Sequence, residues 1–334
     1  LLCLRISRVE AGRAEAGRVA PRGIIGFSDR NRRIKEGSMI AKLEMFIALA
    51  RERHFGRAAL SLGVTQPTLS TGIRQLEDQL GVKLVSRGSR FGGLTPEGQR
   101  ALVMARQIVG DARRLREEMR ASREGLAGHL RLAVIPTALT WGSALAARFT
   151  ARHPKVSFTV LSRASADILS MLDDLEIDAG ISYLDNEPLG RVVTRPLYRE
   201  SYRLVCRPDH PLAGRADLGW AELAEQKLCL LTPEMQNRRI INRQFLEAGL
   251  TPAAAIESNS TVVLVATVLQ GPWVTILPSD LAAFLTEGKP LALVPLRQEA
   301  VAPEVGLIAP HQPPYTPVLQ ALLDEAGELA QVPD

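Results

Sequence analysis

Residues 55 to 70 read Phe55-Gly-Arg-Ala-Ala-Leu-Ser-Leu-Gly63-Val-Thr-Gln-Pro-Thr-Leu-Ser70, and their spacing predicts two short helices joined at Gly63. Ala58, Ala59 and Leu62 recur at helical intervals. Gly63 can take the left-handed conformation of a sharp exit, and Thr65 can cap a new helix. Pro67 falls in that helix's first turn, where its missing N–H costs nothing. Leu69, Ile73, Leu76 and Leu80 follow every three or four residues, leaving Gln66, Thr68, Ser70, Thr71 and Arg74 on the other faces. Short hydroxyl and amide side chains suit base edges in a major groove, and Arg74 suits guanine or phosphate.

The flanks complete a folding unit. Leu43-Glu-Met-Phe-Ile-Ala-Leu-Ala50 supplies an amphipathic first helix. Gly81-Val-Lys-Leu-Val-Ser-Arg-Gly-Ser-Arg-Phe-Gly-Gly-Leu94 predicts two short strands around a Gly- and Arg-rich turn, a wing that sets Arg87 and Arg90 on phosphates. The unit is a winged helix-turn-helix.

Phe55-x-Arg-Ala-Ala59, Val64-Thr-Gln-Pro-Thr-Leu-Ser70, Ile73-Arg-Gln-Leu-Glu77, Leu80-Gly-Val-Lys-Leu84 and Leu94-Thr-Pro-Glu-Gly98 carry a resemblance. The run from Met39 to Gly98 resembles the N-terminal domain of LysR-type transcriptional regulators. One departure is Val85-Ser86, where the family usually has an aromatic and an acidic residue. The resemblance implies a sequence-specific regulator that binds double-stranded promoter DNA, with RNA polymerase as a further candidate partner.

Thr95-Pro-Glu-Gly98 is a helix start, with Thr95 as cap and Pro96 at the first position. Beyond it, Ala101, Ala105, Ile108, Ala112, Leu115 and Met119 alternate at four and three residues, the pattern of a coiled-coil-like seam. A homodimer is expected from that seam; a helix docked along its own domain is the other reading. The resembled family pairs chains through this linker helix and often forms tetramers.

From Leu130 the pattern changes to short apolar strands alternating with helices, which predicts an α/β architecture with a mostly parallel sheet. Two lobes joined by two crossings fit the order of segments, and the family resemblance implies a periplasmic-binding-protein-like effector domain. The expected organisation is a disordered or non-native extension over 1–38 and a winged helix-turn-helix over 39–96. A linker helix over 97–125 and an effector domain over 126–334 follow. Lobe 1 is expected at about 126–197 and 300–334, and lobe 2 at about 198–299. Met39 is the expected native start; a basic DNA-contacting arm is the alternative reading of what precedes it.

Composition agrees with this division. The chain has 334 residues, enough for several folded units, with 46% hydrophobic residues and a net charge of +5. Lys and Arg outnumber Asp and Glu up to Gly125, whereas the acidic residues are in excess from Leu126 onward. Positive charge is thus concentrated where a duplex would be touched. No run of eighteen apolar residues occurs, so no membrane partner and a cytoplasmic location are expected. Cys3, Cys206 and Cys229 lack metal-ligand spacing; Cys206 and Cys229 lie in apolar strand-like runs that favour inert thiols over a redox sensor. The five histidines are scattered, and no phosphate loop or nucleophile elbow follows a strand, so neither an enzyme nor a cofactor is expected. A ligand-independent architectural DNA-binding protein is the alternative class.

In such a domain the ligand lies at the carboxyl ends of strands, where helix N-termini point inward. Pro136-Thr-Ala-Leu-Thr140 offers Thr137 and Thr140. Arg163-Ala-Ser165 offers Arg163 and a helix-capping Ser165. The segment Thr232 to Arg238 offers Thr232, Gln236 and Asn237, and Ser258-Asn-Ser-Thr261 offers Ser260. The family resemblance matches Thr137, Ser165 and the 232–237 segment to pocket positions. Pro272 and Trp273 depart from the family's Gly-containing turn, so Trp273 is expected to narrow or lid the cleft. Hydroxyls, amides and helix ends with Arg163 and Arg238 nearby predict a small anion as effector.

Overall fold

A computed structural model describes residues 38–86, 91–185, 188–297 and 301–330. The extension over residues 1–37, and the wing arginines Arg87 and Arg90, lie outside the described residues. Helices α1 (Met39–Glu52), α2 (Phe55–Leu62) and α3 (Gln66–Leu80) pack around Phe46, Leu49, Leu69 and Leu76. Each start has a side-chain cap: Ser38 accepts from Ala41 N–H, His54 Nδ1 from Gly56 and Arg57, and Thr65 from Thr68. Gly63, at φ +68°, ends α2 in the left-handed region. The described part of the wing holds one antiparallel bridge, Val85 to Leu94.

Helix α4 (Pro96–Glu124) runs for 29 residues, about 43 Å at the usual helical rise. It starts on the wing, where Thr95 Oγ1 accepts from Gly98 N–H and donates to the Lys83 carbonyl. Gly98 is required there, because a Cβ would run into the Leu84 backbone. The first half docks on the chain's own DNA-binding unit through Ala105 and Val109, with Ala101 partly buried beside them. Ala101 and Ala105, expected in a seam, face the chain's own DNA-binding unit instead. Met104, Ile108, Leu115 and Met119 form the exposed apolar stripe, with Ala112 half-buried at its edge.

The larger domain begins with β1 (Gly128–Val134), α5 (Leu139–Arg152), β2 (Val156–Ser162), α6 (Ser165–Asp173), β3 (Ala179–Tyr183) and β4 (Val192–Arg199). The chain then crosses at Glu200 into β5 (Tyr202–Cys206), β6 (Leu228–Leu231), α7 (Gln236–Glu247), β7 (Ala254–Ser258), α8 (Thr261–Leu269), β8 (Thr275–Pro278), α9 (Ser279–Thr286) and β9 (Ala292–Pro295). It returns through β10 (Glu304–Pro310) and closes with α10 (Pro317–Leu329). The first lobe is a sheet of order β2-β1-β3-β10-β4.

The expected mostly parallel pairing is found at β2-β1-β3 and β6-β7; β10 is antiparallel to both neighbours, and β5 is antiparallel to β8 and β9. The crossings explain the difference. A chain that leaves a lobe along β4 and re-enters along the adjacent β10 must run in opposite directions on the two strands.

Candidate DNA-reading surface and interlobe cleft

In α3, Leu69, Gly72, Ile73, Leu76 and Glu77 are buried, and this turns Gln66, Thr71 and Arg74 outward as a solvent-exposed face. Thr68 and Ser70 are half-buried, and the Thr68 hydroxyl shares a 2.9 Å hydrogen bond with the capping Thr65 hydroxyl. Of the five candidates, Gln66, Thr71 and Arg74 thus have the freest reach. Gln75, exposed beside Arg74, shares that face and was not among the sequence candidates. Arg74→Ala is expected to cost about 1–3 kcal/mol of operator binding if the guanidinium meets a base edge. Gel-shift titration at several salt concentrations measures it, and unchanged affinity would remove Arg74 from the interface.

Behind this face, Glu77 carries the wing. Its carboxylate accepts from the backbone N–H of Leu84 (2.9 Å) and Val85 (3.3 Å) and from Lys83 Nζ (2.9 Å). Burial opposes the charge, but Lys83 and the two amides outweigh it and hold the carboxyl below the usual glutamate value. The last residue of the Ile73-Arg-Gln-Leu-Glu77 motif is thus a buttress for the wing.

In the effector domain Thr137, Ser165, Gln236 and Asn237 meet in the cleft between the lobes, together with Tyr183 and Met235. Thr137 lies in a 3₁₀ turn after β1, Ser165 opens α6, and Gln236 and Asn237 open α7, so three helical N-termini face one space. Ser165 does not cap its helix: Ala164 holds the cap position, and the buried hydroxyl has no partner among the described residues. Gln236 Nε2 and Asn237 Oδ1 are likewise buried without one. The enclosed volume is about 10 Å³, room for about one water. A larger ligand therefore needs the lobes to part.

The other expected residues lie elsewhere. Arg163 is exposed and donates to the carbonyl of Ser162, and the buried Arg238 guanidinium is held by the Leu231 carbonyl, Glu257 and Asn242. The cation pair on which an anionic effector was expected is therefore turned to other partners. Thr232 donates to Glu234, Thr140 has its hydroxyl buried outside the cleft lining, and Ser260 starts α8 without lining the cleft. Trp273 packs on the second lobe's core, with Lys227 Nζ 5.9 Å from its ring centroid, and does not lid the cleft. Its bulky ring finds more apolar surface in that core than at the cleft mouth.

A buried cluster beneath the cleft was missed in the sequence. Glu200, at the first crossing, accepts from Tyr183 (2.9 Å) and Tyr202 (2.7 Å), with Tyr198 at 3.5 Å; Asn237 Nδ2 donates to Tyr183 at 3.1 Å. Burial raises the Glu200 carboxyl to about 7 against the lowering pull of these donors. Three of the chain's four tyrosines within twenty residues of one acid was the available signal.

Helix α6 connects the cleft to the DNA-binding unit. Ser165 is at one end; at the other, Asp174 pairs with Arg106 (2.5 Å) and Glu176 with Arg51 (2.5 Å). Leu175 between them accepts from Arg113 and packs on the DNA-binding core.

Comparison with known proteins agrees with this architecture. Residues 40–99 match the family described as bacterial regulatory helix-turn-helix protein, lysR family, and residues 123–331 match the LysR substrate binding domain. The chain belongs to the LysR family. This LysR-type regulator is 33% identical over 244 residues to the DNA-binding transcriptional dual regulator OxyR of Escherichia coli K12, covering 72% of this chain and 79% of that protein. It is 28% identical to the regulator XapR of the same strain, covering 78% and 88%. Among solved structures, a full-length OxyR variant from Pseudomonas aeruginosa aligns with a TM-score of 0.67 at 26% identity, covering 87% of this chain and 99% of that one. The LysR-type regulator therefore couples a DNA-binding domain to an effector-binding domain. Among its described residues no helix is long and apolar enough to cross a membrane.

Proposed function

We infer that this regulator responds to a small polar molecule bound in the interlobe cleft and passes its occupancy to the promoter-binding helices along α6. The observation that carries the reading is the convergence of Ser165 Oγ, Gln236 Nε2 and Asn237 Oδ1, buried and without partners among the described residues, at the N-termini of α6 and α7. Buried polar groups left unpaired are costly, so a site that gathers three of them is suited to a ligand that supplies the missing bonds. The helix ends favour acceptor atoms on that ligand, and a small anion is compatible through those N–H groups rather than through Arg163 or Arg238. Contacts from Asp174, Leu175 and Glu176 give α6 a direct hold on the DNA-binding unit.

Several relatives are named as hydrogen peroxide-inducible genes activators. A thiol response has less support here. Cys206 and Cys229 are buried in β5 and β6, and burial pushes both thiols up to about 11, away from the reactive thiolate. The exposed stripe Met104, Ile108, Leu115 and Met119 suits pairing of two copies through α4, and a dimer or tetramer acting on promoter DNA in the cytoplasm is the assembly we propose.

Thr137→Val and Ser165→Ala are expected to abolish effector response in a promoter-reporter assay while leaving operator affinity unchanged in gel shifts. A normal response in both variants would move the effector site elsewhere.

A further inference from the structure

A half-open groove of about 1010 Å³ runs between α4 and the outer side of the first lobe, apart from the interlobe cleft. That is at the upper end of the roughly 300–1,000 Å³ typical of small-molecule sites. Its floor is apolar, formed by residues such as Leu161, Ile177 and Leu319, with Tyr315 beside them. Its walls are basic: Arg113, Arg116 and Arg120 from α4 face Arg131 and Lys155 from the lobe.

Two carboxyls, Glu117 and Asp178, face the same space and reduce the positive charge without cancelling it. Asp178 is already engaged by the Arg131 backbone N–H at 2.7 Å, and burial raises both carboxyls from their ordinary values. Arg113 and Lys155 are partly committed, donating to the carbonyls of Leu175 and Glu124. Arg116 and Arg120, one helical turn apart, make no hydrogen bond or close ion pair among the described residues, Arg120 being attracted at longer range to Glu117. Across the groove, His129 bridges the hydroxyls of Ser157 and Thr159 on the sheet's edge strand, at 2.8 and 2.9 Å.

We propose that this groove is a second ligand site of the regulator, taking a phosphorylated small molecule of nucleotide size. Two guanidiniums at helical spacing match phosphate oxygens, and the apolar floor accepts a ring or chain attached to the phosphate. Occupancy would tie the linker helix to the first lobe and so brace the DNA-binding unit independently of the cleft.

The test uses the purified full-length chain, titrated calorimetrically with inorganic pyrophosphate and with ATP at about 0.15 M salt, where loose surface attraction is screened. Saturable binding is expected, at least tenfold weaker in the Arg116→Ala/Arg120→Ala double variant. It should be unchanged in Arg243→Ala, Arg74→Ala and Ser165→Ala, which alter a remote surface, the DNA face and the cleft. Absence of saturable binding, or equal affinity in the double variant, would overturn the proposal. So would a change of oligomeric state in the double variant by light scattering without anion, which would make the groove a contact between copies of this chain.

Discussion

Glu77→Ala is expected to abolish operator binding although the residue is buried behind the reading face. The substitution strands the Leu84 and Val85 amides that open the wing and frees Lys83. Each buried amide left unpaired costs about 1–3 kcal/mol, a large share of the stability of a domain this small. Glu77→Gln keeps one acceptor for both amides and should recover most of the loss. The sign with pH follows from the lowered carboxyl: its contribution is fully present above the ordinary glutamate value of 4.5 and is lost as pH falls through the folded value. Urea unfolding followed by helical circular dichroism, alongside gel shifts, would measure both effects. An alanine variant with the wild-type midpoint and affinity would refute the buttress.

The second large effect is at Glu200, whose N–H donates to the Pro303 carbonyl at 2.8 Å, so that the two crossings between lobes meet at this residue. Its tyrosine partners come from both lobes, Tyr183 and Tyr198 from the first and Tyr202 from the second, and Asn237 joins them from α7. Asp280 is the other charged neighbour of the cluster; it accepts from Trp141, which stacks on Tyr198 at 4.6 Å.

A carboxyl near 7 in the folded protein and 4.5 when unfolded binds more protons in the native state between those values. Its favourable contribution is therefore complete below pH 4.5 and is lost as pH rises toward and through 7, by about 3 kcal/mol in all. Glu200→Gln should remove that slope and leave the effector domain more stable than wild type above neutrality. Trp141, Trp220 and Trp273, the only tryptophans in the sequence, all lie in this domain, so tryptophan fluorescence isolates its unfolding. Persistence of the same slope in the glutamine variant would show that Glu200 is not its source.

The helix-turn-helix was legible because its determinants are local. Ser38, Thr65, Thr95, Gly63 and Pro67 act within one or two turns of helix, and the periodicity of Leu69, Ile73 and Leu76 states which face is buried whatever lies above it. The loops that meet in the cleft were legible for a related reason: a strand followed by a polar turn and a helix start points a helix N-terminus at the end of a sheet. Thr137, Ser165, Gln236 and Asn237 all come from such turns.

The partners of each side chain were not legible. Arg163 and Arg238 look alike as charges near those turns, but one extends into solvent and the other is spent on Leu231 and Glu257. Ala105 fits a heptad seam, yet the DNA-binding core covers it and leaves the exposed stripe to Met104 and Ile108. Glu200 meets its tyrosines only because β3, β4 and β5 converge at the crossing. Residue order specifies the elements, their caps and the DNA-reading helix, since those depend on contacts a few positions apart. Which polar groups stay unpaired in the cleft, which charges are neutralised and which apolar face of α4 is free emerge only from the folded chain, because burial and pairing depend on residues distant in the sequence.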